Sequence, residues 1–306
     1  MMGYTNMWLG EENLAIAEDI MRRVLLMTAI LVMLVSKSVA LSYSEGLLQL
    51  ATNGDRQAQF NLGECYHNGS GLPEDKSEAA KWYRLAAEQG LADAQYKYGN
   101  YFYIDYGAGF AFDIKEARKW WNLAADQNHG PAQHMLGLLA YGSDTEGAME
   151  EAALWFKQAA LSNYPDSYYY LGEIYYKGWG VEKDPVLAAD WFKRAALLGN
   201  ADAQLELGDM YKDGIGVGKD TKQAVQWYKL AVAQGHTEAQ LRLAFCYHKG
   251  QGVPVDHLEA SRLWMLAAEQ GQPHAMFNLG LMYDLGRGVE QDYSQAVYWW
   301  LKAAEK

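Results

Sequence analysis

The feature that most constrains this chain is a motif that recurs seven times at a spacing of about 36 residues. Each copy opens with a small residue, and we number the copies one to seven by these residues. They are Ala58, Ala94, Ala132, Ser167, Ala203, Ala239 and Ala275, at spacings of 36, 38, 35, 36, 36 and 36. Self-similarity at a fixed period of roughly 20 to 50 residues is typical of repeat architectures.

Each copy first carries a helical pattern. Four positions after the opening residue stands Leu in six copies and Tyr98 in the other, and eight positions after it stands an aromatic residue in six copies. The position between them, five after the opening residue, holds Gly63, Gly99, Gly137, Gly172, Gly208, Ala244 and Gly280. These offsets share one helix face. Because Gly inside a helix costs up to ~1 kcal/mol relative to Ala, its recurrence predicts a close helix contact.

A turn and a second helix follow. Five copies carry Gly-x-Gly, an aliphatic residue and, three positions later, Asp75, Asp184, Asp220, Asp256 or Asp292. Gly is suited to end a helix in the left-handed conformation, and Asp is suited to cap the next helix. Nine of the 11 Trp residues fall in an aromatic pair further along, so we expect most of the Trp to be structural.

The predicted fold is therefore all-α, an α-α superhelix (solenoid) of seven helix-turn-helix repeats over residues 58–306. One helix pair cannot bury both of its apolar faces, whereas stacked neighbours can. Residues 41–57 resemble the second half of a repeat and are predicted to form an N-terminal capping helix.

The columns Ala-x-x-x-Leu-Gly-x-x-Tyr, Gly-x-Gly-Val-x-x-Asp and Ala-x-x-Trp-Tyr-x-x-Ala-Ala resemble the Sel-one-like repeat family, which is related to the tetratricopeptide repeats. The resemblance covers about residues 54–306. It implies an interaction scaffold, and exported bacterial members contact host or envelope components. A cysteine-rich branch is described as binding or hydrolysing β-lactams, but this chain lacks the cysteines of that branch.

The N-terminal sequence is typical of an export signal. Met21-Arg22-Arg23 precedes an apolar run of 12 residues, and Ser38 and Ala40 supply the small residues of a cleavage site. We therefore interpret residues 1–40 as an extension plus a signal peptide, Met21–Ala40, and expect a periplasmic or secreted protein. The alternative is an uncleaved anchor, which would add the membrane as a partner, although a spanning helix needs roughly 20 apolar residues.

Composition argues against several kinds of chemistry. The formal charge of −12 opposes binding to nucleic acid, because phosphate backbones would be repelled.

Cys65 and Cys246 lie five repeats apart and are expected to be buried thiols rather than a disulfide. The seven His residues show no metal-ligand spacing, and Gly214–Lys219 lacks the Ser/Thr that ends a phosphate loop. We predict no cofactor, no metal and no catalytic residue.

The candidate binding surface is the concave face, which first helices line in related superhelices. Positions two, six and nine after the opening residue should point into it. The residues we single out as partner-binding are Tyr96, Tyr103, Tyr141, Tyr169, Glu173, Tyr176 and Asp209. Tyrosine with acidic neighbours suits a peptide or protein segment that carries basic and apolar groups. The alternative is that tight curvature buries these tyrosines as ordinary packing.

The sequence thus favours a non-enzymatic, exported scaffold that binds a peptide or protein partner. The alternative function is a cell-envelope hydrolase, for example with β-lactamase-like activity. A third interpretation is a regulatory partner of a membrane complex. The aromatic pair Trp299-Trp300 stands in the last copy, and end-to-end self-association is a further hypothesis.

Overall fold

The structure is a computed structural model that describes residues 42–306, and every regular element among these residues is an α-helix. The interpreted signal peptide, Met21–Ala40, lies outside the described residues. The fifteen helices of the described part are α1 (Glu45–Thr52), α2 (Arg56–Asn68), α3 (Lys76–Glu88), α4 (Ala92–Asn100), α5 (Ile114–Ala125), α6 (Gly130–Tyr141), α7 (Ala148–Leu161), α8 (Ser167–Lys177), α9 (Pro185–Leu197), α10 (Ala201–Asp213), α11 (Thr221–Ala233), α12 (Thr237–Lys249), α13 (His257–Glu269), α14 (Pro273–Leu285) and α15 (Tyr293–Ala304).

The chain divides into two compact units, of which unit 1 extends to Trp120 and unit 2 runs from Trp121 to Lys306. In unit 1, α2 packs against α3, and α1 and α4 pack on this pair. In unit 2, successive helices pair as α6–α7, α8–α9, α10–α11, α12–α13 and α14–α15, and each pair stacks on the next. The predicted fold class, all-α helical-hairpin repeats of the superhelix type, is confirmed.

The predicted turn chemistry is confirmed. The residues that end the first helices at the Gly-x-Gly turns are left-handed, with φ of 67° at Gly69, 76° at Gly178 and 76° at Gly214. The five aspartates cap the second helices, and Asp220, for example, accepts hydrogen bonds from the amides of Lys222 and Gln223 at 2.9 and 3.0 Å. Local sequence therefore fixes where each helix ends and where the next begins.

The glycine column marks a close helix contact, as predicted. A Cβ atom at Gly208 would lie 2.4 Å from the Tyr228 ring, and one at Gly172 would lie 2.5 Å from the Phe192 ring. Tyr228 and Phe192 are fully buried aromatic residues of the second helices. The missing side chain thus lets each second helix bring its inner ring against the backbone of the first.

The rest of the core consists of small and aliphatic residues of both helices. Ala203, Ala224 and Ala231 have no exposed surface, and neither does Leu171. Cys65 and Cys246 are buried free thiols, as expected. None of the helices between residues 42 and 306 combines the length and the apolar character that a bilayer crossing requires.

Candidate functional site: the first-helix face

We call the side chains two, six and nine positions after each opening residue, with their immediate neighbours, the first-helix face. Of the seven predicted partner-binding residues, Tyr96 and Tyr103 belong to unit 1. Tyr141, Tyr169, Glu173, Tyr176 and Asp209 belong to unit 2. All except Tyr103 are partly buried, so both packing and contact with a partner are compatible with their exposure.

In unit 1 the face ends in an aromatic loop. Tyr103 follows α4, is 37% exposed, and its ring lies 5.8 Å from the exposed Phe112 ring. The two rings, with Phe110 and Asp105, help to line a cavity of about 130 Å³. Because α4 is only nine residues long, the chain leaves the helix early, and this loop replaces the glycine turn of the other copies.

In unit 2 two predicted tyrosines converge on one predicted carboxylate. Tyr141 donates a 2.9 Å hydrogen bond to Glu173. Tyr169 also hydrogen-bonds to Glu173, and burial followed by the charge of Glu173 raises the pKa of the Tyr169 phenol. Both hydroxyls therefore stay protonated and hold the carboxylate in place.

Tyr176 stands on the same helix as Tyr169 and Glu173. Its ring lies 6.5 Å from the buried Phe192 ring, and the ammonium groups of Lys177 and Lys183 lie 5.5 and 5.8 Å from its centre. Tyr176 already supports two cation–π contacts at the surface. Tyr169 lies 5.8 Å from Phe192, so both tyrosines flank the same buried ring.

Asp209 belongs to a separate network. It accepts a 2.5 Å hydrogen bond from Tyr228 of its own copy, and it pairs with Arg242 of the next copy at 3.2 Å and with Lys212 at 3.0 Å. Burial opposes ionisation of Asp209, but Tyr228, Arg242 and Lys212 together lower its pKa. The carboxylate is thus ionised and fully compensated.

Copy one repeats this arrangement in unit 1. Glu64 accepts a 2.5 Å hydrogen bond from Tyr83 and pairs at 2.9 Å with Lys97 of the next copy. The pKa of Glu64 is lowered, because Tyr83 and Lys97 outweigh burial. The acid at position six, the inner tyrosine and the base at position three of the next copy form a recurrent unit, which we call the acid–tyrosine–base bridge.

The acid–tyrosine–base bridge is incomplete in copy four. Its acid is Glu173, its inner ring is Phe192, which has no hydroxyl, and position three of the next copy holds Glu206 instead of a base. Among the described residues, no cation lies within 4 Å of Glu173 or Glu206. Burial, and then the charges of Asp209 and Glu173, raise the pKa of Glu206. Two more distant basic side chains only partly offset these effects. Among the described residues, Glu173 and Glu206 therefore lack the ion-pair partner that the acids of copies one and five have.

Sequence reasoning missed Glu206, Arg242 and Tyr228. The signal was present in the third-position column, which reads Asn61, Lys97, Met135, Tyr170, Glu206, Arg242 and Asn278. A base follows the acid in copies one and five, and an acid follows the acid in copy four. Only contacts between consecutive copies show that the third and sixth positions meet.

A serine–histidine pair also occurs in unit 2. His134 Nδ1 lies 2.9 Å from Ser167 Oγ, but Ser167 has no exposed surface and His134 is buried among Phe156, Tyr164 and Tyr170. Burial lowers the pKa of His134 to about 4. A substrate cannot reach this hydroxyl, so the pair is a packing contact. Between residues 42 and 306, no group of three or more His, Cys, Asp and Glu residues is arranged to hold a metal ion.

These features define the protein as an all-α helical repeat protein whose first helices carry a polar, aromatic face. The Sel1 repeat family matches seven consecutive segments, residues 56–91, 92–129, 130–164, 165–200, 201–236, 237–272 and 273–306. The chain belongs to the Sel1 repeat family.

Two solved structures show the same architecture. A protective antigen present in uropathogenic Escherichia coli strains has 34% sequence identity and a TM-score of 0.79 over 85% of this chain and 56% of its own. A Sel1 repeat protein from Oxalobacter formigenes has 34% identity and a TM-score of 0.65 over 85% of this chain and 75% of its own.

A curated relative matches a shorter stretch. A Sel1-like repeat-containing protein of Acanthamoeba polyphaga mimivirus is 46% identical over 55 residues, which are 18% of this chain and 10% of the viral protein. The chain thus spans about a tenth of that relative and about half of the E. coli antigen. Sel1 repeat proteins are generally protein-interaction scaffolds and typically not enzymes.

Proposed function

We propose that this protein is an exported scaffold that binds a peptide or protein partner on the first-helix face of unit 2, where Glu173 and Glu206 hold a basic side chain of the partner. The observation that carries the proposal is the broken acid–tyrosine–base bridge of copy four. In copies one and five the acid pairs with an internal base at 2.9 Å and 3.2 Å. In copy four the base is absent, and the partner supplies it.

Electrostatics support a cationic ligand at this point. Two partly buried carboxylates repel one another, and the raised pKa of Glu206 expresses that repulsion together with the cost of burial. A Lys or Arg side chain placed between the two carboxylates would reduce their repulsion and offset the cost of burying their charge. The protein as a whole carries a formal charge of −12, which speeds the approach of a basic segment.

The tyrosine rings beside Glu173 also favour a basic side chain as the ligand. Tyr169 and Tyr176 flank the Phe192 ring beside Glu173 and offer rings to the aliphatic stem or the charged head of a Lys or Arg residue. Tyr141 and Tyr169 hold the Glu173 carboxylate in place, so the site is ordered before the partner arrives. Preorganisation of this kind reduces the entropy cost of binding.

The test is a pull-down with the immobilised full chain from envelope and host-cell extracts, followed by affinity measurement with the captured partner. Glu206→Arg places a base at position three, as Arg242 does in the next copy, and so completes the bridge from within. We expect this variant to be folded and to lose the partner by at least tenfold in affinity, because its own guanidinium fills the site.

Glu182→Arg is the matched control. It makes the same change of charge at an exposed position of the turn before α9. Partner loss by Glu206→Arg alone would support the proposal. An equal loss of affinity in both variants would show that the effect comes from net charge alone. Unchanged affinity in both variants would refute binding at copy four.

Export is part of the proposal and rests on the Met21–Ala40 pattern. Cleavage after Ala40 gives a mature chain that begins at Leu41. N-terminal sequencing of the protein from its native compartment tests this directly. A mature protein that retains Arg22 and Arg23 would support an uncleaved anchor instead.

Self-association is the second partner proposal. On α15, Val297, Tyr298 and Leu301 are 51%, 47% and 61% exposed. In α11 the residue that corresponds to Val297 is Val225, which is 1% exposed because α12 covers it. Sedimentation of the full chain and of Leu301→Glu over a concentration series should show an association that the variant loses, and a monomer at every concentration would contradict it.

A further inference from the structure

A second unusual cluster lies in copy six, away from the broken bridge. The rings of His248 and His257 lie 5.1 Å apart, and the His248 ring lies 5.3 Å from that of Trp264. Among residues 42–306, His248 Nδ1, His257 Nδ1 and Trp264 Nε1 are buried and have no hydrogen-bond partner. A buried polar atom without a hydrogen-bond partner is unfavourable, and such atoms are rare in folded proteins.

Copy one shows how the same positions are satisfied internally. His67 stands where His248 does, and its Nδ1 lies 2.8 Å from the Tyr101 hydroxyl. Lys76 stands where His257 does and donates to the backbone oxygen of His67. Tyr83 stands where Trp264 does and donates to Glu64. Each polar position of copy one therefore has a partner within the protein.

Copy six lacks two of those partners, the tyrosine hydroxyl and the carboxylate. The positions of Glu64 and Tyr101 are occupied by Phe245 and Met282, which offer no hydrogen-bonding oxygen to the cluster. His248 and Trp264 therefore lie where apolar side chains replace the oxygen-bearing side chains that serve the same positions in copy one. A group bound from outside the protein would supply the missing hydrogen-bond partners.

The charge around the cluster selects the kind of ligand. Burial lowers the pKa of His248, and the neighbouring Lys249, His257 and Arg287 lower it further. Lys249 and Arg287 are exposed side chains at the rim. This positive surrounding opposes a metal cation, and in the described part of the chain no third ligand completes a metal site. Imidazole and indole N–H groups are donors, and donors near basic side chains suit an anion.

We propose that His248, His257 and Trp264, with Lys249 and Arg287 at the rim, form a binding site for a small oxyanion, either a phosphate or a carboxylate. The three ring nitrogens donate to the anion, and the ammonium and guanidinium groups compensate its charge. The site is independent of the partner-binding face at Glu173 and Glu206.

The experiment uses the full chain and titrates inorganic phosphate and, in a second arm, acetate. Calorimetry measures affinity, and the imidazole nitrogen resonances report which histidines respond. We expect one anion per chain, with shifts at His248 and His257. Binding of phosphate but not acetate would assign the site to phosphate groups, and the reverse would assign it to carboxylates.

Two variants locate the site. His257→Phe removes one donor and should weaken binding at least tenfold, whereas Arg287→Gln changes only an exposed charge and should weaken it about threefold without altering the fold. His67→Phe is the control at the satisfied position of copy one and should bind as the wild type does. No binding of either anion to the wild type, or binding that Arg287→Gln leaves unchanged, would overturn the proposal.

Discussion

The Tyr141 hydroxyl donates a 2.9 Å hydrogen bond to Glu173, which belongs to the next copy of the repeat. This contact joins two consecutive helix pairs through side chains of the candidate binding face. It also holds in place a carboxylate that has no cation within 4 Å among residues 42–306. The same hydrogen bond therefore stabilises the interface between two copies and orders the Glu173 carboxylate, which we propose binds a basic side chain.

Replacement of Tyr141 by Phe tests this link. A hydrogen bond to a charged group contributes about 1.5–3 kcal/mol, so Tyr141→Phe should lower the free energy of unfolding by about that amount. Urea unfolding measures it, and Tyr298→Phe, at a position that is 47% exposed, is the control. Equal stability of the wild type and Tyr141→Phe would show that the bond makes no net contribution.

The Glu206 carboxyl should give the protein an unusual dependence on pH. Because its folded-state pKa is raised above the ordinary 4.5, the folded protein binds the proton more tightly than the unfolded chain does. The wild type should therefore lose stability, relative to Glu206→Gln, as the pH rises from about 4.5 through the raised pKa.

Asp209→Asn provides the opposite case. The pKa of Asp209 is lowered below 3.8, so its contribution is present above that value and is lost as the pH falls through the folded-state pKa. Unfolding curves at several pH values give the free energy of unfolding of the wild type relative to each variant. Plotted against pH, this difference should fall for Glu206→Gln and rise for Asp209→Asn. Slopes of the same sign would contradict the assigned environments.

His134 should destabilise the fold in acid. Its pKa falls to about 4 in the folded protein, against 6.5 for an ordinary histidine, because the ring is buried. Its stabilising contribution is complete above about pH 6.5 and declines as the pH falls toward 4, where the unfolded chain takes up the proton first. An NMR titration that gives His134 a midpoint near 6.5 would contradict this.

The glycine column can be tested at Gly208. A methyl group there would lie 2.4 Å from the Tyr228 ring, and that ring is fixed by its 2.5 Å bond to Asp209. Gly208→Ala should therefore destabilise the protein by about 1–3 kcal/mol, despite the better helix propensity of Ala. Gly218→Ala is the control, because no atom beyond its two chain neighbours lies within 4 Å of the added methyl group.

The sequence by itself determined the helix pairs, because their signals are local. Gly178 and Gly214 end helices in the left-handed conformation, and Asp184 and Asp220 cap the helices that follow. These effects involve residues a few positions apart, and they recur at a fixed period, so they can be read without coordinates. The family resemblance followed from the same columns.

The candidate site was predicted only in part. Tyr141, Tyr169 and Glu173 were singled out from their helix positions, and the structure brings them together. Their role as a binding surface stays a prediction. Glu206 was missed, because its importance comes from the side chains it meets and not from its own sequence neighbours.

Only the tertiary structure decided which charges are compensated. Whether the carboxylate at position six finds a base depends on a side chain about 33 residues later, across the interface between two copies. Asp209 finds Arg242 there and Glu173 finds Glu206. Hydrogen bonding and burial act through space, so the same helix pattern yields an open acidic site in copy four and a closed ion pair in copy five.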